Sequence, residues 1–236
     1  MSEAVYHRHL FLAGPAGKLE ALEWTVADAA PPLAGLVCHP HPLFGGTMHN
    51  KVVFQAARAL HDLGLPVLRF NFRGAGLSEG KHDEGRGEEG DVRAALDWLA
   101  GAFPGTPIVL AGFSFGALVG LRVGCVDERV SELVGLGLPL NRNDAGFLRR
   151  CGKPRLFLQG SEDQYGDAEK VREFAASLPE PKRMVVVPGV DHFFTGKLEE
   201  VGRAIRSWMS ERRPELAARA GATADSSPSA TADSSE

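Results

Sequence analysis

The stretch Pro107 to Gly124 reads PIVLAGFSFGALVGLRVG. A strand, PIVLAGF, runs straight into Gly112-Phe113-Ser114-Phe115-Gly116, and a helix, ALVGLRVG, runs out. G-x-S-x-G alone matches many chains by chance. Set between a strand and a helix, it describes a sharp turn that lifts the serine hydroxyl above the end of a sheet. Glycine on both sides removes the side chains that would clash with the neighbouring strand and helix. Ser114 then projects at the carboxyl end of a strand, where open parallel sheets place their sites. The first turn of the following helix offers free N–H groups to a developing anion. The plainer reading is a tight strand–helix turn with a capping serine, and the groups elsewhere in the chain have to decide between the two.

Outward from this turn, short apolar runs alternate with amphipathic stretches. Residues 7–13 and 18–26 read as two strands around Gly14-Pro15-Ala16-Gly17, a hairpin. Strands are expected at Ala34–Cys38, Pro66–Phe72, Pro107–Phe113, Val130–Leu138, Arg155–Gln159 and Arg183–Val187. Helices are expected at Lys51–Leu63, Asp91–Phe103, Phe115–Gly124, Ala168–Leu178 and Gly196–Glu211. Residues 80–90, GKHDEGRGEEG, are polar and glycine-rich and read as a loop. Repeated strand-then-helix units imply an α/β fold, a mostly parallel twisted sheet of about eight strands flanked by helices, with the hairpin as an antiparallel edge.

A serine nucleophile needs a base, and the base an orienting carboxylate. After Ser114 there is a single histidine, His192, in the turn PGVDHFF behind the strand Arg183–Val187. The acid belongs after the preceding strand, which opens into Gly160-Ser161-Glu162-Asp163. Asp163 is the first choice, Asp167 the second and Glu162 the third. Asp167 directly precedes a helix, so capping is its expected task.

With these residues in place the chain resembles the α/β-hydrolase superfamily, and in particular small bacterial members related to dienelactone hydrolases. The marks that carry the resemblance are His39-Pro40-His41-Pro42-Leu43-Phe44-Gly45-Gly46-Thr47-Met48, an HPHPxxGG loop, and Asn71-Phe72-Arg73-Gly74-Ala75-Gly76-x-Ser78. QGSED around Asp163 and GVDHFF around His192 complete the set. The resemblance covers about residues 5–210. The resemblance implies a Ser114–His192–Asp163 triad and an oxyanion hole. One donor would be the backbone N–H of Phe115 and the other a residue of the loop after the third strand. Matching His39-Pro40-His41 to the family's His-Gly-x nominates the His41 N–H. Pro42 has no N–H to give, and Leu43 is the fallback. Between Leu138 and Pro154, where this superfamily usually inserts a lid, only a short loop remains, so no lid domain is expected. An open cleft would suit small to medium carboxylic esters, with Leu43, Phe44, Phe113 and Phe193 as its apolar wall.

Two competing motifs are weaker. His39-x-His41, with His49 nearby, lacks the further ligands a hydrolytic metal site needs, so packing is the expected task of His39 and no metal or other cofactor is expected. Gly74-Ala75-Gly76-Leu77-Ser78-Glu79-Gly80 is spaced GxGxxxG and follows the fourth strand, unlike a dinucleotide loop. Asn71 and Arg73 are expected to stitch that turn.

Size and composition fit one core. The chain has 236 residues, 44 % hydrophobic and 24 % charged, and a net charge of −4. That balance gives no footprint for nucleic acid or an anionic membrane. Three cysteines, Cys38, Cys125 and Cys151, form no C-x-x-C pair and no disulfide framework, and Cys38 and Cys125 lie in apolar runs as small buried hydrophobes. Neither a signal peptide nor a membrane span is readable, so the expectation is a cytoplasmic monomer or homodimer acting on a small-molecule ester. The hydrolase domain is expected over residues 1–213. Residues 214–236, with ATADSS twice, are too poor in large apolar groups to offset ordering entropy and are expected to be a disordered tail. The alternatives that share the triad are a peptidase, a thioesterase or a dienelactone-type hydrolase. A binding module on a hydrolase scaffold would not need the triad.

Overall fold

The computed structural model of the chain describes residues 7–26 and 30–216. Strands β1 (His7–Gly14) and β2 (Gly17–Trp24) pair antiparallel from His7↔Trp24 to Gly14↔Gly17, closing through the two-residue turn Pro15-Ala16. The remaining strands are β3 (Ala34–Cys38), β4 (Val67–Phe70), β5 (Ile108–Phe113), β6 (Val130–Leu136), β7 (Arg155–Gly160) and β8 (Lys182–Val187). They form one eight-stranded sheet in the order β1-β2-β4-β3-β5-β6-β7-β8. β2 meets β4 antiparallel, and every pairing from β4 to β8 is parallel. This is the mostly parallel sheet the alternating pattern implies, with the hairpin as its antiparallel margin.

Among the described residues the sheet is covered by α1 (Lys51–His61), α2 (Arg86–Ala102), α3 (Phe115–Val126), α4 (Ala168–Ala176) and α5 (Leu198–Arg212). Strand residues alternate between two cores because successive side chains point to opposite faces. On one face Leu36, Cys38, Ile108, Leu110 and Leu133 pack with α2, α3 and α4. On the other, Val37, Val109, Ala111 and Phe113 pack with α1 and α5. Each large aliphatic so buried contributes about 1.5–3 kcal/mol.

The polar segment 80–90 is not all loop. α2 begins at Arg86, five residues ahead of the expected Asp91. Gly85 supplies the left-handed turn, at φ 91°, and its N–H donates to the Glu88 carboxylate at 2.8 Å. Gly87 and Gly90, which read as loop residues, face inward. A Cβ at Gly87 would strike the Arg73 guanidinium, and one at Gly90 would come within 2.9 Å of Pro15. The glycines make room for neighbours instead of breaking the helix.

Between β6 and β7, residues 137–154 hold one 3-10 turn (Gly146–Arg150) and no lid domain. Cys38 and Cys151 are buried, Cys125 is only half-buried, and all three are free thiols. The described chain continues past Arg213 to Leu216, whose side chain is fully buried among the residues of α1 and α5. The core therefore extends beyond the expected boundary at residue 213. The rest of the expected tail, residues 217–236, lies outside the described residues.

Candidate active site

The turn between β5 and α3 places Ser114. Its backbone stands at φ 55°, ψ −117°, and its N–H is tied to the Leu136 carbonyl at 2.8 Å. A left-handed φ in a non-glycine residue costs of order 1–3 kcal/mol and persists only where the surroundings over-determine it. Here they do. A Cβ on Gly112 would land on the Gly116 carbonyl, and one on Gly116 would land on the carbonyls of Cys38 and His39. The two glycines thus let the elbow close on itself and lie directly against the end of β3.

His192 follows β8. Its Nδ1–H donates to Asp163 Oδ2 at 2.7 Å, and its Nε2 accepts the Ser114 hydroxyl at 2.9 Å. An ionised carboxylate only accepts, which fixes Nδ1 as the protonated nitrogen of the neutral ring. Asp163 and His192 are both buried. Of the three carboxylates considered, Asp163 alone reaches the histidine. Asp167 caps α4 through the Lys170 N–H at 2.9 Å, the task expected of it, and Glu162 is exposed.

Two supporting residues were not singled out from the sequence. Gln159, fully buried at the end of β7, donates through Nε2 to Asp163 Oδ2 at 2.7 Å and to the Gly166 carbonyl at 2.8 Å. Its Oε1 accepts the Leu138 N–H at 2.9 Å. The other carboxylate oxygen, Asp163 Oδ1, accepts the N–H groups of Tyr165 and Gly166 at 2.8 and 3.0 Å. Asp191 pins the turn that carries His192. Its Oδ1 accepts from the N–H groups of Phe193 and Thr195 at 3.0 Å, and its Oδ2 accepts from the Thr195 hydroxyl at 2.9 Å. Burial would raise the Asp191 pKa, but these bonds and the nearby His192 bring it below the ordinary value. A glutamine closing a strand and an aspartate two residues before an aromatic were the available signals, and neither is specific.

The HPHPxxGG loop lies across the elbow. His39 is fully buried. Its Nδ1–H donates to the Pro40 carbonyl at 2.6 Å and its Nε2 accepts the Phe72 N–H at 2.8 Å. Burial pushes its pKa down to about 4. With both nitrogens occupied, His39 is a packing residue as expected, and among the described residues no group of three or more His, Cys, Asp or Glu side chains could hold a metal. The His41 ring packs against Phe115, Phe44 and His82 with centroids 4.7–4.8 Å apart. Burial lowers the His41 pKa, the His82 ring lowers it further, and Glu88 acts in the opposite sense. The Leu43 N–H, the fallback oxyanion donor, turns to His41 Nδ1 at 3.3 Å. Gly46 packs so tightly on the loop that a Cβ there would strike the Pro40 carbonyl.

The glycine-rich turn after β4 braces this loop. Asn71 Oδ1 accepts the Met48 N–H at 2.7 Å and Nδ2 donates to Glu20 at 2.7 Å. Arg73 forms a two-pronged pair with buried Asp91, as close as 2.7 Å. Both residues stitch the turn, as anticipated.

The expected apolar wall is split. Leu43, Phe44 and Phe193 are 69 %, 86 % and 45 % exposed and form an open rim. Phe113 is a correction. It is fully buried, with its ring 4.9 Å from the His192 imidazole, so it supports the histidine from below and lines no cleft. The alternation of β5 explains this, since Phe113 shares the inward face with Val109 and Ala111. Tyr165, half exposed, also packs on the histidine, its ring 4.7 Å away.

A mostly parallel eight-stranded sheet with a strained serine turn at its centre is the architecture of the α/β hydrolases, and the short β6–β7 connection leaves this one without a lid domain. Residues 41–214 match the alpha/beta hydrolase domain family, and the chain belongs to it. It is similar to an α/β serine hydrolase without lid from Xanthomonas campestris, at 36 % identity and TM-score 0.81 over 88 % of this chain and 95 % of that one. It is also similar to an α/β serine hydrolase homologue from Coxiella burnetii, at 37 % identity and TM-score 0.79 over 88 % and 97 %. An uncharacterized protein of Rickettsia prowazekii is 36 % identical over 85 % of this chain and 87 % of its own length. Among the described residues no helix is long and apolar enough to cross a membrane.

Proposed function

We propose that the protein hydrolyses small to medium carboxylic esters through an acyl-enzyme on Ser114. The observation that carries this reading is the continuous chain from Asp163 to His192 to Ser114, at 2.7 and 2.9 Å. His192 Nε2 takes the hydroxyl proton as Ser114 Oγ attacks the acyl carbon. Asp163, which only accepts, favours the imidazolium that results. The tetrahedral oxyanion is held by the Phe115 N–H, at the open first turn of α3, and by the His41 N–H. His41 is preferred over Leu43 because the Leu43 N–H is already turned to the His41 ring. The imidazolium then gives its proton to the leaving alcohol. Water enters, loses a proton to His192 and attacks the acyl carbon, releasing the acid and restoring Ser114. The exposed rim and the short β6–β7 connection support an open site for modest acyl groups over buried long chains.

Hydrolysis of short-chain p-nitrophenyl esters tests the reading. Ser114→Ala and His192→Ala are each expected to lower kcat by at least about 10⁴-fold, and a fluorophosphonate probe is expected to label Ser114 alone in the folded protein. Full ester turnover by Ser114→Ala would refute it.

A further inference from the structure

We infer that His82, held by Glu88, is a substrate-binding residue that selects esters with a hydroxyl on the acyl half, an inference that rests on the esterase reading above. His82 lies on the turn before α2. Its ring centroid is 4.7 Å from His41 and 5.5 Å from Phe115, the two residues assigned to the oxyanion hole. The ring contacts of His192 are Phe113, Tyr165 and Phe193, so the two imidazoles stand on different walls. The leaving alcohol must sit beside His192 to receive its proton. A substrate group that reaches His82 therefore belongs to the acyl half.

The side chain is built in, with 9 % exposure. Its Nδ1 lies 2.8 Å from Glu88 Oε1, outside good hydrogen-bond alignment. Glu88 is itself fully buried and fixed, accepting the N–H groups of Asp83 and Gly85 at 2.9 and 2.8 Å. A carboxylate stands beside this imidazole as Asp163 stands beside His192, though without an aligned hydrogen bond, and no protein group meets its far nitrogen. His82 Nε2 makes no hydrogen bond within the described chain and is not sealed from solvent. A polar atom so placed, in a wall otherwise made of the Phe115, His41 and Phe44 rings, offers one directional contact beside the reacting carbonyl. A hydroxyl is the substituent that fits it in every state of the ring. It donates to Nε2 where that nitrogen carries the lone pair and accepts where it carries a proton, whereas a carboxylate only accepts and has no bond to make with the lone-pair form.

The test compares ethyl butyrate, ethyl 3-hydroxybutyrate and monoethyl succinate, with acid release followed by titration. The readout is kcat/KM for each substituted ester relative to butyrate. The native protein is expected to favour the hydroxy ester. His82→Phe, which keeps an aromatic ring in the wall, is expected to lower that ratio about tenfold through KM, the worth of one hydrogen bond. His82→Gln, which retains a polar partner for Glu88 but a shorter reach, covers the case in which His82→Phe fails to fold. An unchanged ratio in the folded variants, an equal loss on all three esters, or a native preference for the succinate ester would each overturn the inference while leaving the esterase reading intact. Failure of the native protein on every ester would remove both.

Discussion

At the scale of single residues, Gln159 ties Asp163 to two other segments of the chain. The sequence made Ser114, His192 and Asp163 legible because each lies in a local pattern: a serine near glycines, a lone downstream histidine behind a strand, and a carboxylate in the loop after the preceding strand. Gln159 has no such pattern. Its importance arises from three chain segments that meet only in the fold, the Leu138 turn, the Gly166 turn and Asp163. Gln159→Leu keeps the size but leaves the Leu138 N–H without its buried partner and withdraws a donor from the carboxylate. Its expected cost is about 1–3 kcal/mol of stability, with kcat lowered about tenfold or more as His192 loses a fixed acceptor, and KM for a short ester little changed. Urea denaturation and steady-state kinetics on one ester measure both. A variant of native stability and native kcat would show that Asp163 is held well enough by the Tyr165 and Gly166 N–H groups alone.

At the scale of elements, the periodicities located all eight strands and the five α-helices of the described chain, and the errors lie where glycine has two meanings. In α2 the run Gly85 to Gly90 combines one residue that starts the helix with a left-handed turn and two that admit Arg73 and Pro15. Composition alone cannot separate these tasks, because the neighbours that demand small residues come from distant parts of the chain. Phe113 was misplaced for a related reason. The sequence put it beside the nucleophile, but which face of β5 it takes is set by the pleat. The elbow offers a direct test of glycine as a spacer. Gly116→Ala puts a methyl group onto the carbonyls of Cys38 and His39, so backbone must move and carry the His41 loop with it. The expected result is a loss of about 1–3 kcal/mol together with most of the turnover. Gly101→Ala, in α2 with open space around its Cα, is the control and is expected to gain about 0.5–1 kcal/mol. Thermal melts and ester assays on the two variants separate crowding at the elbow from a general intolerance of alanine.

At the scale of the whole molecule, the sheet divides the core in two, and the two halves serve different purposes. The face under α2, α3 and α4 backs the elbow and the His39–Gly46 loop, whereas the face under α1 and α5 backs Phe113 and the strand ends that carry Asp163 and His192. The second half is completed by chain beyond the last long helix. Composition after Pro214 falls off so sharply that the segment read as tail from residue 214, yet one apolar side chain in the right place is enough to dock a turn. The Leu216 N–H bonds the Arg213 carbonyl at 2.9 Å and its side chain is buried with Ile205, Trp208 and Met209 near α1. A chain ending at residue 213 should therefore be less stable than one ending at residue 216, by about 2–4 kcal/mol, and Leu216→Ala in the full chain should reproduce most of that difference. Because α5 covers β7 and β8, the loss should also ease local opening of the strands that lead to Asp163 and His192. Amide exchange in β7 and β8 should then quicken in the shorter chain more than exchange in the β1–β2 hairpin. Equal urea midpoints for the two chain lengths would return the boundary to residue 213, and uniform quickening across the sheet would deny this half of the core any particular hold on the site.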